Sequence, residues 1–371
     1  MKKNKRILFI LTNPKTIINF YDVLLEKISV KYEVHILTDK SKMIKNIERL
    51  DYKFHYYDVA TENYFEFFKM NYSIYKTIKT VKPNLVIGFT IRNTIFGNLI
   101  SHHLNIQTIS PIVGLGMLFQ SKEIVYRIAR LLLPSALRKT SHVFFYNHDD
   151  MNLFLSKKLI NNNSYSKING DGVNIEKFKP VRSHNQKKIT FLLIARLLYD
   201  KGIKEYYEAA KIVLKKHPNV RFQILGPFQE QNLRSNTITR GTIKNWEKEE
   251  VIEYIGCADD VRPFIAKSDC IVLPSYREGL SNVLMEGGSM AKPLLASNVP
   301  GCKELIIDNF NGYKFKSKSA IALAESCFNF LNLSKKERIQ MENNSRSLII
   351  KSFDRNSSVK LFVQKINYVL K

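Results

Sequence analysis

The chain reads as an α/β protein of two Rossmann-like halves, each a parallel sheet wound by helices, facing each other across a cleft. Three observations predict this. Short apolar runs alternate with longer amphipathic stretches throughout, the mark of β–α–β winding. Runs such as Leu85–Phe89 are apolar at nearly every position, which suits strands covered on both faces. At 371 residues the chain also exceeds what one core ordinarily serves.

In the first half, strands are expected at Arg6–Leu11, Tyr32–Thr38, Lys53–Asp58, Asn84–Thr90, Gln107–Ser110 and His142–Tyr146, with helices at Ile17–Ile28 and Tyr64–Val81. The polar, glycine-containing stretch Asn161–Pro180 reads as an inter-domain linker. It sets an N-terminal domain over 1–165 and a C-terminal one over 166–352. In the second half, strands are expected at Ile189–Ala195, Val220–Leu225, Val251–Ile255, Cys270–Leu273 and Pro293–Ala296. Helices follow at Gly202–Lys215, Asp260–Ala266, Asn282–Met290 and Ala320–Leu331. Phe353–Leu370 forms a separate amphipathic helix, so 353–371 is expected to complete the first domain.

Composition narrows the class. A 44% hydrophobic and 25% charged chain is globular rather than disordered. Four cysteines without a CxxC pair argue against a disulfide framework or structural zinc and for a reducing cytosol. The basic Met1–Arg6 stretch and apolar Ile7–Leu11 resemble a signal peptide, but the apolar run is too short, and a buried first strand is expected. No run of about 18 apolar residues is present to span a membrane. The net charge of +25 has three readings: a composition rich in Lys, Asn and Ile, contact with anionic lipid, or nucleic-acid binding. No RNP, zinc-finger or helix-turn-helix pattern supports the last.

Several common motifs are broken. Gly114-Leu-Gly116-Met-Leu-Phe119 begins like GxGxxG but ends on Phe119 and stands mid-domain. Gly287-Gly288-Ser289-Met290-Ala291 lacks a nucleophile elbow's strand–turn–helix context. No Walker A loop or DxD occurs, so no metal or other cofactor is expected.

What remains is a diphosphate site built from cations. Arg196 follows the strand ending at Ala195, and Lys201 opens the next helix, both at the carboxyl edge of the sheet. Two permanent charges beside a helix N-terminus can neutralise a departing diphosphate. The competing reading is ordinary surface charge. A second constellation is Ser275-Tyr-Arg-Glu-Gly-Leu-Ser-Asn-Val-Leu-Met-Glu-Gly287. There Gly279 permits close approach to a ligand, and Ser281 or Asn282 can cap a helix. Glu278 can then accept from sugar hydroxyls, and Glu286 from the two ribose hydroxyls. The plainer alternatives are a solvated loop charge and a capping charge.

Together, Arg196…Lys201-Gly202 and Glu278-Gly-x6-Glu286 resemble the signature of glycosyltransferase family 4, whose fold is GT-B. Gly170–Pro180 is similar to that family's linker, Tyr254–Val261 to the loop framing the base, and Pro300–Gly312 to the stretch after the donor helix. The resemblance spans most of residues 165–355 and, more loosely, the first half. It implies catalytic roles for Arg196, Lys201 and Glu278. It implies donor binding by Glu286, Gly279, Leu280, Ser281, Asn282, Gly226 and Asp259, and an acceptor side at Arg92, Gly114 and Gly116.

Ile194–Ala210 and Val113–Gly116 are most similar to bacterial enzymes that add N-acetylgalactosamine or a related sugar to an undecaprenyl-diphosphate-linked glycan. The likeness implies a UDP-sugar donor, UDP-N-acetylgalactosamine as the first choice, retaining transfer to a lipid-linked or saccharide acceptor, and a departing diphosphate that takes the acceptor's proton. Val113 and Arg92–Gly97 depart from the family's pattern on the acceptor side. The family reading makes the enzyme cytoplasmic and peripheral on the inner face of the plasma membrane, with no nucleic-acid partner. Basic residues interleaved with apolar ones support lipid contact at Lys122–Lys139 and around Phe65, Phe67, Phe68, Tyr72 and Tyr75. Two alternatives stay open: a nucleotide-sugar epimerase of the same fold, and a basic lipid- or nucleic-acid-binding protein without activity.

Overall fold

The computed structural model describes residues 5–40, 47, 50–57, 64–116, 118–119, 123–160, 165–181, 188–229 and 236–371, with the backbone alone for 64–68. Asp58, Met117, Lys122, residues 161–164 and the side chains of Phe65, Phe67 and Phe68, all used in the expectations above, lie outside the described residues. The chain divides into two units, Met1–Gly172 with Asn356–Lys371, and Val173–Arg355.

Among the described residues, the first unit is built on seven strands: β1 (Arg6–Ile10), β2 (Glu33–Asp39), β3 (Lys53–Tyr57), β4 (Leu85–Gly88), β5 (Gln107–Ile112), β6 (His142–Phe145) and β7 (Tyr165–Lys167). They lie in the order β3-β2-β1-β4-β5-β6-β7, and every pairing is parallel. The order reverses between β1 and β4. Four consecutive residues of β1 and all four of β4 are buried, as strands with helices on both faces require. The C-terminal helix Arg355–Val369 closes this unit. Its Phe362 ring lies 4.4 Å from that of Phe144, and its Asn367 accepts from the Tyr32 hydroxyl at 2.7 Å.

The second unit carries β8 (Ile189–Ile194), β9 (Val220–Leu225), β10 (Glu253–Tyr254), β11 (Cys270–Leu273), β12 (Leu294–Ser297) and β13 (Gly312–Phe315). Their order is β10-β9-β8-β11-β12-β13, again parallel throughout. Helix Ile203–Lys216 buries Ile203, Tyr206, Ala209, Ala210 and Val213, the i, i+3, i+4 stripe of a helix laid on a sheet. Tyr206 is fully buried because its hydroxyl finds the Phe191 carbonyl at 2.8 Å.

The structure corrects the expectations at several points. The unit boundary falls at Gly172 rather than 165, because Tyr165–Lys167 pairs with β6 as an edge strand. Strand β13 and helix Lys335–Phe353 were not expected, and Phe353 ends that helix instead of opening the last one. Residues 17–28 begin with a π-helical turn, Ile17–Tyr21. The strand expected at Val251–Ile255 shrinks to Glu253–Tyr254.

Candidate active site

In the second unit the switch of strand order falls between β8 and β11, where connections leave toward opposite edges and open a crevice beyond the carboxyl ends. Three loops are knitted together there. The Tyr276 amide donates to the Asp200 carbonyl at 2.9 Å, Glu278 N to Pro300 O at 3.0 Å, and Ser281 N to Gly301 O at 2.8 Å. The loops after β8, β11 and β12 therefore hold one another through backbone hydrogen bonds.

Glycine makes this approach possible at two positions. Gly202 sits at φ +70°, and a Cβ there would fall 2.1 Å from the Pro274 carbonyl oxygen. Gly301, at φ +80°, would place a Cβ 2.5 Å from the Glu278 carbonyl. Lys201 is consequently not the first residue of a helix. It ends the tight turn Tyr199–Lys201, and helix Ile203–Lys216 starts after the left-handed Gly202, with no side chain capping its first amides.

This turn delivers the Lys201 ammonium to the Glu278 carboxylate, 2.6 Å apart, with side chains only 14% and 20% exposed. Arg196, just past β8, is exposed, and its guanidinium has no hydrogen bond or ion pair among the described residues. Beneath lies Cys302, its thiol pushed well up by burial and by the carboxylates of Glu278 and Glu304. Asp200 Oδ1, Glu205 Oε2, Ser275 Oγ and Ser297 Oγ are buried without a hydrogen-bond partner among the described residues. A concentration of unsatisfied polar atoms at one sheet edge marks a place where a polar ligand or water belongs.

Ser281, rather than Asn282, caps the helix Asn282–Ser289, accepting from Leu284 N at 3.3 Å. Leu280 and Ser281 are buried, and Gly279 is half-buried in the same loop. Glu286 stands on the helix in different surroundings from Glu278. Burial pushes its carboxyl up to about 7, with the charges of Lys177 and Arg355 opposing and Asp260 reinforcing the shift. Asp260 is the acidic neighbour here; Asp259, the residue expected from sequence, is exposed in the same loop. Gly226 follows β9 at φ +155°, pressed so close to Ala195 that a Cβ would lie 1.8 Å from its carbonyl oxygen, and it accepts from the Tyr254 hydroxyl at 2.9 Å.

Arg92, Gly114 and Gly116 belong to the first unit. Arg92 lies half-buried in the first turn of helix Ile91–His103, after β4, where its charge acts on Tyr57. Gly114 (φ +142°) and Gly116 (φ +48°) follow β5. Sequence reasoning missed Lys177, Arg355 and Asp260 around Glu286, and Gly301 beside Glu278. The motif stretches Gly170–Pro180 and Pro300–Gly312 contained Lys177 and Gly301 without indicating what they touch. Among the described residues, no group of three or more His, Cys, Asp or Glu side chains forms a metal site.

Residues 174–348 match the family described as glycosyl transferases group 1, and residues 8–147 match glycosyl transferase 4-like. The chain is 23% identical over 359 residues to the N,N'-diacetylbacillosaminyl-diphospho-undecaprenol alpha-1,3-N-acetylgalactosaminyltransferase of Campylobacter jejuni, covering 92% of each chain. Among solved structures, it superposes on sucrose-phosphate synthase from Thermosynechococcus elongatus with a TM-score of 0.80, at 15% identity and 99% coverage of both chains. Anabaena HepE in complex with UDP and glucose gives a TM-score of 0.78 at 16% identity, covering 98% of this chain and 100% of that one. The shared architecture is the GT-B fold.

Proposed function

Because residues 174–348 match the glycosyl transferases group 1 family and residues 8–147 the glycosyl transferase 4-like family, we propose that the chain moves a hexosamine or hexose from a UDP-sugar, UDP-N-acetylgalactosamine first, to a lipid-linked glycan with retention at the anomeric carbon. The observation that carries this reading is the Lys201–Glu278 pair at the switch point of the second sheet, with Arg196 just past β8 and without a side-chain partner among the described residues. Lys201 and Arg196 bring positive charge to the diphosphate as the bond between the anomeric carbon and the β-phosphate oxygen breaks. Glu278 accepts from sugar hydroxyls, and Glu286 from those of the ribose. The acceptor hydroxyl attacks from the face the diphosphate leaves, and its proton passes to a departing phosphate oxygen. No carboxylate is then needed as a base. The transferase of Campylobacter jejuni supports a lipid-linked acceptor, and the UDP in HepE supports a uridine donor.

The reading includes attachment to the cytoplasmic face of the membrane. On helix Ile124–Arg138, Leu133, Ala136 and Leu137 face the core, whereas Ile124, Val125, Ile128 and Leu131 are exposed, Leu131 by 77%. The helix has no acidic residue and carries Arg127, Arg130 and Arg138, so its outer side suits an anionic lipid surface. No helix of the described residues is long and apolar enough to cross a membrane.

The test is a panel of UDP-sugars incubated with and without an undecaprenyl-diphosphate-linked acceptor, with the product anomer read by NMR. Transfer with retention, unaffected by EDTA, is the expected result. Isomerised sugar without acceptor would identify an epimerase instead, and inactivation by EDTA would refute the metal-free route.

A further inference from the structure

Arg346 lies on helix Lys335–Phe353, outside the loops that form the switch-point crevice, yet it is among the most heavily engaged side chains in the second unit. Its Nη1 lies 2.6 Å from the Ser289 carbonyl, 2.8 Å from Ser289 Oγ, 3.1 Å from the Ile175 carbonyl and 3.2 Å from that of Phe178. Nη2 reaches the Ile175 carbonyl as well, at 3.1 Å. Ser289 Oγ in turn donates to the Phe178 carbonyl at 2.8 Å.

These acceptors belong to two segments. Ser289 ends the helix that bears Glu286, and a guanidinium there also answers the negative end of the helix dipole. Ile175 and Phe178 bracket a tight turn in which Asn174 Oδ1 accepts from Glu176 N at 3.2 Å and Lys177 N at 2.9 Å. Lys177 sits at the head of that turn, and its charge bears on Glu286.

Resting on the donor reading above, we propose that Arg346 is a positioning residue for donor recognition, fastening the Asn174–Phe178 turn to the end of the Glu286 helix and so holding Lys177 beside the carboxylate that takes the ribose. A planar fork that reaches carbonyls from both segments explains why arginine stands here; a lysine offers one nitrogen and no fork. The charged groups acting on Glu286 are Lys177, Arg355 and Asp260, and only Lys177 rides on the clamped turn.

The experiment measures UDP affinity by calorimetry from about pH 5.5 to pH 8.5 for the wild type, Arg346→Ala, Arg346→Lys, Lys177→Met and the Arg346→Ala/Lys177→Met double variant. Wild-type binding should tighten as Glu286 ionises. Arg346→Ala and Lys177→Met should each weaken binding at neutral pH about fivefold, roughly 1 kcal/mol, and move the pH midpoint upward, since a cation that favours the carboxylate has gone. The double variant should show no further change. Arg346→Lys should fall between, and it serves as the reading should the alanine variant fail to fold. A variant that loses melting temperature but keeps wild-type affinity and midpoint would reduce Arg346 to a structural role and overturn the proposal. Additive losses in the double variant would overturn it too. Wild-type protein that binds no UDP at any pH would instead bring down the donor reading itself.

Discussion

Replacing Glu286 with Gln should stabilise the second unit at alkaline pH while weakening its hold on UDP. Glu286 is half-buried, and its carboxylate has no hydrogen bond among the described residues. Burial raises its pKa from 4.5 to about 7. The folded state therefore keeps this proton longer than the unfolded chain does. Below 4.5 both states are protonated and the group costs nothing; stability falls as pH rises from 4.5 toward 7, and the full cost is present above it. At about 1.4 kcal/mol per pH unit the ceiling is roughly 3 kcal/mol, and the water still reaching the side chain brings the expected figure to about 1–2 kcal/mol. For a unit of this size that is a gain of roughly 2–8 °C in melting temperature for Glu286→Gln at about pH 8, shrinking to nothing near pH 4.5. Scanning fluorimetry across this range, with and without UDP, reads both effects. A Gln variant no more stable than wild type at pH 8, or a gap that persists in acid, would refute the assigned burial cost. Equal stabilisation of both proteins by UDP would remove Glu286 from ribose binding.

Other substitutions separate charge from architecture. Arg196→Ala removes an exposed side chain that has no partner among the described residues, so stability should stay within about 0.5 kcal/mol while kcat falls on the order of a hundredfold; unchanged turnover would exclude it from catalysis. Lys201→Met strips the mostly buried Glu278 of its cation and should cost about 1–3 kcal/mol in urea denaturation. Pairing it with Glu278→Gln in a double-mutant cycle should reveal coupling of at least about 1 kcal/mol, and independent effects would mean that the contact contributes nothing. Gly202→Ala combines a left-handed backbone with a Cβ 2.1 Å from the Pro274 oxygen, so a loss of about 2 kcal/mol or more is expected together with reduced transfer. Wild-type stability there would show that the two loops do not meet as described.

Much of this protein is legible in its residues because long apolar periods leave few choices. Val220–Leu225, Cys270–Leu273, Tyr64–Val81 and Ala320–Leu331 form over the very ranges their patterns specify. Where a segment is short and polar, pattern fails: Tyr165–Lys167 is a strand only because β6 offers its edge, and Gly312–Phe315 only because β12 does. Helix Lys335–Phe353 did leave a signal, the capping box Ser334–Glu337, but it has no strong apolar stripe to announce it.

The site divides along the same line. Arg196, Lys201, Glu278 and Glu286 stand out as a spaced motif, and it is the motif's resemblance to glycosyltransferase family 4 that raises the expectation of nucleotide-sugar chemistry. That Lys201 meets Glu278 is a consequence of β8 lying next to β11 and of Gly202 abutting Pro274, contacts between residues far apart in the chain. The surroundings that raise the pKa of Glu286, and the Arg346 clamp behind them, likewise arise from non-local packing. Local propensity and periodicity act over a few residues and can name the groups; their desolvation and their partners depend on which distant segments the folded chain brings against them.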